Sequence, residues 1–264
     1  MKLVLSQIKN SSDALAIRSI VPRARFRTYT AALPSLSIEP ARLYVLDAEL
    51  RGALLELIHF AEVAMRDSMH RTLAASYGNH WFHGKSVILD DRTQEKFREA
   101  EGRLGASFTN PERVVAEVSF GAWGDLLQRG GTSSGTGGSL VGRADYEVAL
   151  WDGRLDAVFA HVGPTMTAAS NVVKRVKWLR NRVAHHEPIV FGIHQPGDQD
   201  RLHNQRRQEP LNALADLHTL LEAFCGTAST WIETCEHSKE LLNEPLAVDA
   251  LAHAKAKKKR TIWI

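Results

Sequence analysis

A chain of 264 residues with 44% hydrophobic content is long enough to bury a sizeable core, and a net charge of only +3 excludes a general nucleic-acid-coating role, so that basic binding must come from local clusters. Two cysteines, Cys225 and Cys235, exclude a disulfide framework and a cysteine zinc site and fit a reducing, cytoplasmic setting. No apolar run approaches the length of a bilayer span, and the opening MKLVLSQIKNSSD has only a three-residue apolar patch, so neither a membrane segment nor a signal peptide is expected.

In chain order, residues 1–21 read as an N-terminal segment, 22–242 as the main helical domain and 243–264 as a basic C-terminal tail. Pro22 to Ala32 predicts a short helix opened by proline, made basic by Arg23, Arg25 and Arg27. Pro40 to Tyr77 is the longest helical pattern: Leu43, Leu46, Leu50, Leu54, Leu57, Ile58, Ala61, Met65 and Met69 follow steps of three and four, and Gly78 is a stop. Glu62 and Arg66 lie four apart on it, as a surface ion pair or as a group able to orient another helix. His80 and His83 lack a nearby carboxylate or cysteine in the sequence, so no metal is expected there. Asp91 to Leu104 predicts a charged helix. Asn110 caps a further helix with Pro111 at its first position, predicted to run through VVAEVSFGAWGDLL. Residues 129–140, with the run GGTSSGTGG, read as a flexible surface insert, and lack the Lys-Ser or Lys-Thr of a phosphate loop. Tyr146 to Phe159 mixes helix and turn. After a helix from about Thr165 to His185, Gly192 to Asp200 is expected to be a polar loop, Asn204 (or Pro210) to Phe224 a helix, and Ala228 to Leu242 another. The tail carries Lys255, Lys257, Lys258, Lys259 and Arg260, a solvated charge run or a nucleic-acid contact. With no alternating strand pattern and no repeat, the fold class is all-α.

The most informative stretch is KWLRNRVAHHEPIV, Lys177 to Val190. Val172, Val176, Leu179 and Val183 form one helical face, and Pro188 ends the helix near His185 or His186. Asn181 and His185, four apart, share the face opposite that stripe, flanked by Arg180. Such residues serve as caps for the last carbonyls, or as a site. From Ala157 to His186 there is no Asp or Glu, while Lys174, Arg175, Lys177, Arg180 and Arg182 crowd together. A basic stripe without local counter-charge suggests an anionic partner, above all a phosphate.

Three pieces together resemble the Abi-like (abortive infection) family, within the HEPN group of helical nucleases. They are LYVLDAELRGALLELIHFAEVAMRDSM (Leu43 to Met69), VSFGAWGDLL (Val118 to Leu127) and LRNRVAHHEPI (Leu179 to Ile189). The last carries the most specific signature, an Arg, a polar residue and a His after four intervening residues: Arg180, Asn181, His185. One departure is Arg66-Asp67, where the resemblance leads to an expectation of Arg-Asn.

The resemblance implies a HEPN-like helical bundle with additional helices. It also implies a metal-independent endoribonuclease without cofactor, an antiphage or toxin-like effector paired as a homodimer across a shared cleft. Arg180, Asn181 and His185 are then catalytic, Glu62, Arg66 and His186 supporting, and Lys174, Arg175, Lys177 and Arg182 RNA-binding. The chemistry is self-consistent. RNA supplies its own nucleophile, the 2′-OH; an imidazole moves the proton and a guanidinium stabilises charge on the phosphoryl oxygens, giving a 2′,3′-cyclic phosphate and a 5′-hydroxyl. An antitoxin or regulatory partner is compatible with this role. The alternative is a non-catalytic module of the same fold that holds RNA or a protein, and a structural helical dimer is a third reading.

Overall fold

The computed structural model describes residues 7–33, 37–105, 110–199, 205–235, 237–257 and 261–264. It is 69% helix and 6% strand, so the chain is mostly helical, with short strands that the sequence pattern does not announce. Among the described residues, no helix is long and apolar enough to cross a membrane. The chain divides into two compact units.

The first unit comprises residues 1–58, 178–215 and 232–264. It begins with α1 (Ser11–Ile20), which is fixed by a reciprocal cap: Asn10 accepts from the Ser12 and Asp13 amides, and Asp13 accepts from the Asn10 amide. Next come α2 (Arg23–Ala32), opened after Pro22 as expected, and α3 (Glu39–Tyr77), which belongs to this unit up to Ile58. Leu43, Leu46, Leu50, Leu54 and Leu57 are all buried, so the three-and-four spacing does report the core face. The end of α8 (Met166–Ala184) and the start of α9 (Pro210–Cys225) contribute here too, with α11 (Ser238–Asn243) and α12 (Pro245–Lys257).

The segment expected to be a polar loop after Gly192 is instead β3 (Ile193–Gln199), antiparallel to β4 (Gln205–Gln208), while β5 (Thr261–Trp263) runs parallel to β4. Its polar composition hides it, because backbone pairing rather than an apolar stripe defines it. Gly192 sits at φ +84°, and a Cβ there would overlap the ring of Trp263, so the turn into β3 requires glycine. In the tail, Lys255 pairs with Glu209 at 2.6 Å and Lys257 donates to the Ala31 carbonyl at 3.2 Å. Lys258, Lys259 and Arg260 lie outside the described residues.

The second unit comprises residues 59–177 and 216–231. α3 continues from His59 and stops where Gly78 adopts φ +84° and donates to the Ala74 carbonyl. α4 (Asp91–Leu104) has its predicted bounds, capped by Asp90. The helix predicted from Pro111 onward is two: α5 (Pro111–Glu117) and α6 (Phe120–Asp125), separated where Val118 and Ser119 turn extended. Trp81, Phe82, Phe97 and Trp123 form an aromatic core, with Phe82 stacked on Phe97 at 5.2 Å and Trp81 edge-on to Phe97 at 5.3 Å. The segment expected to be a flexible insert forms a hairpin, β1 (Thr132–Ser133) with β2 (Gly142–Arg143). Side-chain hydroxyls hold it. Ser134 bonds Asp91 twice at 2.8 Å, Ser133 accepts from Gln94 at 3.1 Å, and Ser139 donates to the His83 carbonyl. A helical stretch over Glu147–Leu155, broken at Asp152 and Gly153, leads through α7 (Asp156–Val158) into α8. Part of α10 (Ala228–Cys235) completes the unit.

Candidate active site

Along α8, Val173, Val176, Leu179 and Val183 are buried and Val172 is half-buried. On its last turns Arg180 and Asn181 are half-buried, and just past its end His185 and His186 are exposed. The helix ends in a specific hydrogen-bond pattern. The His186 amide donates to the Val183 carbonyl at 3.1 Å and the Glu187 amide to the Arg182 carbonyl at 2.9 Å, the pair of crossed bonds of a Schellman ending. That ending needs a left-handed residue, and His186 takes it at φ +55°. It is the one non-glycine residue with positive φ among the described residues. Glycine normally fills this place, so the backbone carries strain beside the Arg–Asn–His motif.

The segment after the helix is clamped. Asp47, fully buried on α3, accepts from the Ile189 and Val190 amides at 2.9 and 3.0 Å through Oδ1. Its Oδ2 accepts from the Tyr29 hydroxyl at 2.6 Å and from Arg51. Burial first, then the Asp47 charge, pushes the Tyr29 hydroxyl well above the usual phenol range, so Tyr29 stays a donor. Burial opposes the Arg51 charge, but Asp47 and Tyr29 more than offset it and raise its pKa. Arg25, from the basic turn of α2, donates to the His186 carbonyl at 3.1 Å. The strained turn is thus held from α2 and from α3.

Two cations of the basic stretch have carboxylate partners, one far along the chain and one just past the helix. Arg175 makes a bidentate bond to Asp216, with both distances 2.6 Å. Arg182 pairs with Glu187 at 2.5 Å. The stripe without local counter-charge is therefore partly neutralised in the folded chain. Burial lowers the pKa of Arg182 against the pull of Glu187. Burial and then the Arg182 charge press Arg207 down to about 10, and its Nη1 donates to the Gly192 carbonyl at 2.9 Å.

Arg180, Asn181, Arg182, His185 and His186 belong to the first unit, and Glu62, Arg66, Lys174, Arg175 and Lys177 to the second. Glu62 and Arg66 form an ion pair, with both side chains largely covered, and Arg66 also donates to the Ala116 carbonyl at 2.9 Å. Asp67, at the position that departs from the resemblance, pairs with Arg71 on the surface. His83 does find a carboxylate, Glu101 at 2.7 Å, brought from α4. Among the described residues no group of three or more His, Cys, Asp or Glu is arranged to hold a metal.

Sequence reasoning missed Asp47, the residue that ties down the segment after the motif. Its signal was present: an acid inside the Leu43–Leu46–Leu50–Leu54 stripe, where a charge is costly unless paired. Compared with the models of known families, with curated proteins and with solved structures, the chain finds no match in any of the three.

Proposed function

We propose that this chain is a metal-independent endoribonuclease of the HEPN type, acting in the cytoplasm as a homodimeric abortive-infection or toxin-like antiphage effector. The observation that carries the reading is the end of α8. An Arg and an Asn occupy its last turns and an exposed His lies just past them, beside a left-handed His186 held by Arg25 and followed by a segment that Asp47 clamps. A left-handed histidine where such an ending normally takes glycine, beside groups able to move protons and to bind phosphate, supports a site at this helix end.

In this reading the RNA 2′-oxygen attacks the adjacent phosphorus while His185 accepts its proton or protonates the departing 5′-oxygen. Arg180 stabilises the charge that develops on the phosphoryl oxygens, and Asn181 orients the imidazole or holds one of those oxygens. The bond formed is 2′-O–P and the bond broken P–5′-O, which leaves a 2′,3′-cyclic phosphate and a 5′-hydroxyl. The supporting role of Glu62 and Arg66 and the RNA-binding role of Lys174 and Lys177 stay what the resemblance implies, since these residues belong to the second unit.

The test is cleavage of labelled RNA in EDTA by wild type, Arg180→Ala and His185→Ala, each checked for native circular dichroism. Cutting should survive the chelator and fall by at least about a hundredfold in either variant. Undiminished cutting by the variants would sink the assignment. Tight RNA binding without cutting by wild type would point to the non-catalytic module. A monomer by light scattering at micromolar concentration would remove the shared cleft.

A further inference from the structure

A second feature lies wholly within the second unit. Arg92 and Lys96 sit four apart on α4, and Lys174 and Lys177 three apart on α8, so each pair shares a helix face. Both pairs meet around Asp125 at the end of α6. Arg92 Nε lies 3.4 Å from its Oδ2, and Lys96 forms an ion pair with the same oxygen. Arg92, Asp125, Lys174 and Lys177 line a cleft of about 190 Å3, with Gln128 and Ser170 on its wall. Gln128 Nε2 donates to Ser170 Oγ at 3.0 Å, which leaves the serine proton to point elsewhere.

Positive charge gathers at this cleft around one carboxylate of its lining, Asp125. Burial is the main influence lowering the pKa of Lys177. Asp125 raises it, and Lys96, Arg92 and Lys174 all oppose the Lys177 charge. Like charges brought together on two helices repel one another; Asp125 offsets this in part, and a further anion would offset more of it. Gly121 and Gly124 face α8 at ordinary contact distance. A Cβ on Gly121 would touch the Lys177 side chain at 3.7 Å, and one on Gly124 would touch Val173 at 3.6 Å, so α6 and α8 approach closely and the lysine lies across α6.

We infer that this cleft, within the second unit, is an anion site for a phosphate group. The donors converge from two helices and include point-charge ammonium groups, a guanidinium and a hydroxyl. A tetrahedral anion with acceptor oxygens in several directions suits that set better than a planar carboxylate. The phosphate is carried either by a nucleic-acid backbone or by a free phosphate compound, and the two sources are separable.

The full-length protein, Lys177→Gln and Asp125→Asn are titrated with inorganic pyrophosphate by calorimetry, with melting curves alongside. A second arm uses a 2′-O-methyl oligoribonucleotide, which has no 2′-OH to attack. Pyrophosphate should bind wild type and raise its Tm. Lys177→Gln should bind at least about tenfold more weakly, the scale of one charge-assisted hydrogen bond. Asp125→Asn should bind more tightly, because it removes the competing carboxylate. Loss of folding would weaken both variants, so opposite signs isolate the charge effect. For a backbone phosphate, Lys177→Gln also lowers the salt slope of oligonucleotide binding by about one. For a free phosphate compound, oligonucleotide binding is unchanged while pyrophosphate binding falls. Equal pyrophosphate affinity in all three proteins, or weaker binding by Asp125→Asn, overturns the site. A protein that cuts no RNA can still pass, because every readout is binding or melting.

Discussion

Replacing Asp47 by Asn tests how the segment after α8 is held. The carboxylate has no exposure and accepts four hydrogen bonds: from two backbone amides, a phenol and a guanidinium. Asparagine keeps the shape but carries one oxygen and one amide nitrogen. Whichever way it turns, its NH2 faces donors, either the Ile189 and Val190 amides or Tyr29 and Arg51. The substitution also strips the charge partner from Arg51, whose side chain is only 7% exposed, so solvent does little to compensate. Breaking a buried pair by removing one partner costs about 3–5 kcal/mol, a large share of the roughly 5–15 kcal/mol that holds a typical domain folded. Urea denaturation should show that loss as a lower midpoint, with amide exchange at Ile189 and Val190 accelerated. Asp47→Asn combined with Arg51→Met should recover part of the loss, because the stranded charge is gone. A loss under about 1 kcal/mol, with both amides still protected, would refute the argument that Asp47 fixes this segment.

His186→Gly should raise stability by about 1 kcal/mol in thermal melts, since glycine takes φ +55° without strain; a loss of RNA cleavage in the same variant would place the imidazole in the site. Gly192→Ala should destabilise by about 1–3 kcal/mol, as a methyl group meets the Trp263 ring at positive φ; an unchanged urea midpoint would contradict the packing of β5 on this turn. His70 accepts from the Trp81 indole at 3.2 Å, and burial lowers its pKa below 6.5. The unfolded chain therefore binds the proton more readily, and this part of the stability is complete above about pH 6.5 and lost as pH falls through the lowered folded value. Stability measured across that window should rise with pH in wild type and rise less in His70→Gln. An identical slope in the two proteins would rule out His70 as the source.

What the sequence makes legible are the features whose cause is local. The bounds of α4, the proline and asparagine opening α5, the glycine ending α3 and the buried stripe of α8 all follow from residues within a few positions. Arg180, Asn181 and His185 are visible as a group for the same reason, lying within six residues of one helix. What escapes is set by partners far along the chain. Asp216 neutralises Arg175 from 41 positions away, and Glu101 reaches His83 from 18. β3 exists because β4 lies beside it, not because Ile193–Gln199 alternates. The glycine- and serine-rich stretch has the composition of a linker, yet hydroxyl bonds to Asp91, Gln94 and the His83 carbonyl give it a defined hairpin.

The bonds from the Ile189 and Val190 amides to Asp47 join residues 142 and 143 positions apart. They close a loop that contains residues 59–177, most of the second unit, so they are expensive to form early in folding. Distant pairings of this kind form slowly, after the local helices. The order of events then favours the aromatic core of the second unit, whose Trp81, Phe97 and Trp123 lie within 43 positions and whose completion compacts the loop. The crossed bonds at His186 are local and form with the helix, whereas the Ile189–Val190 segment beside the Arg–Asn–His motif is pinned only when that loop shuts.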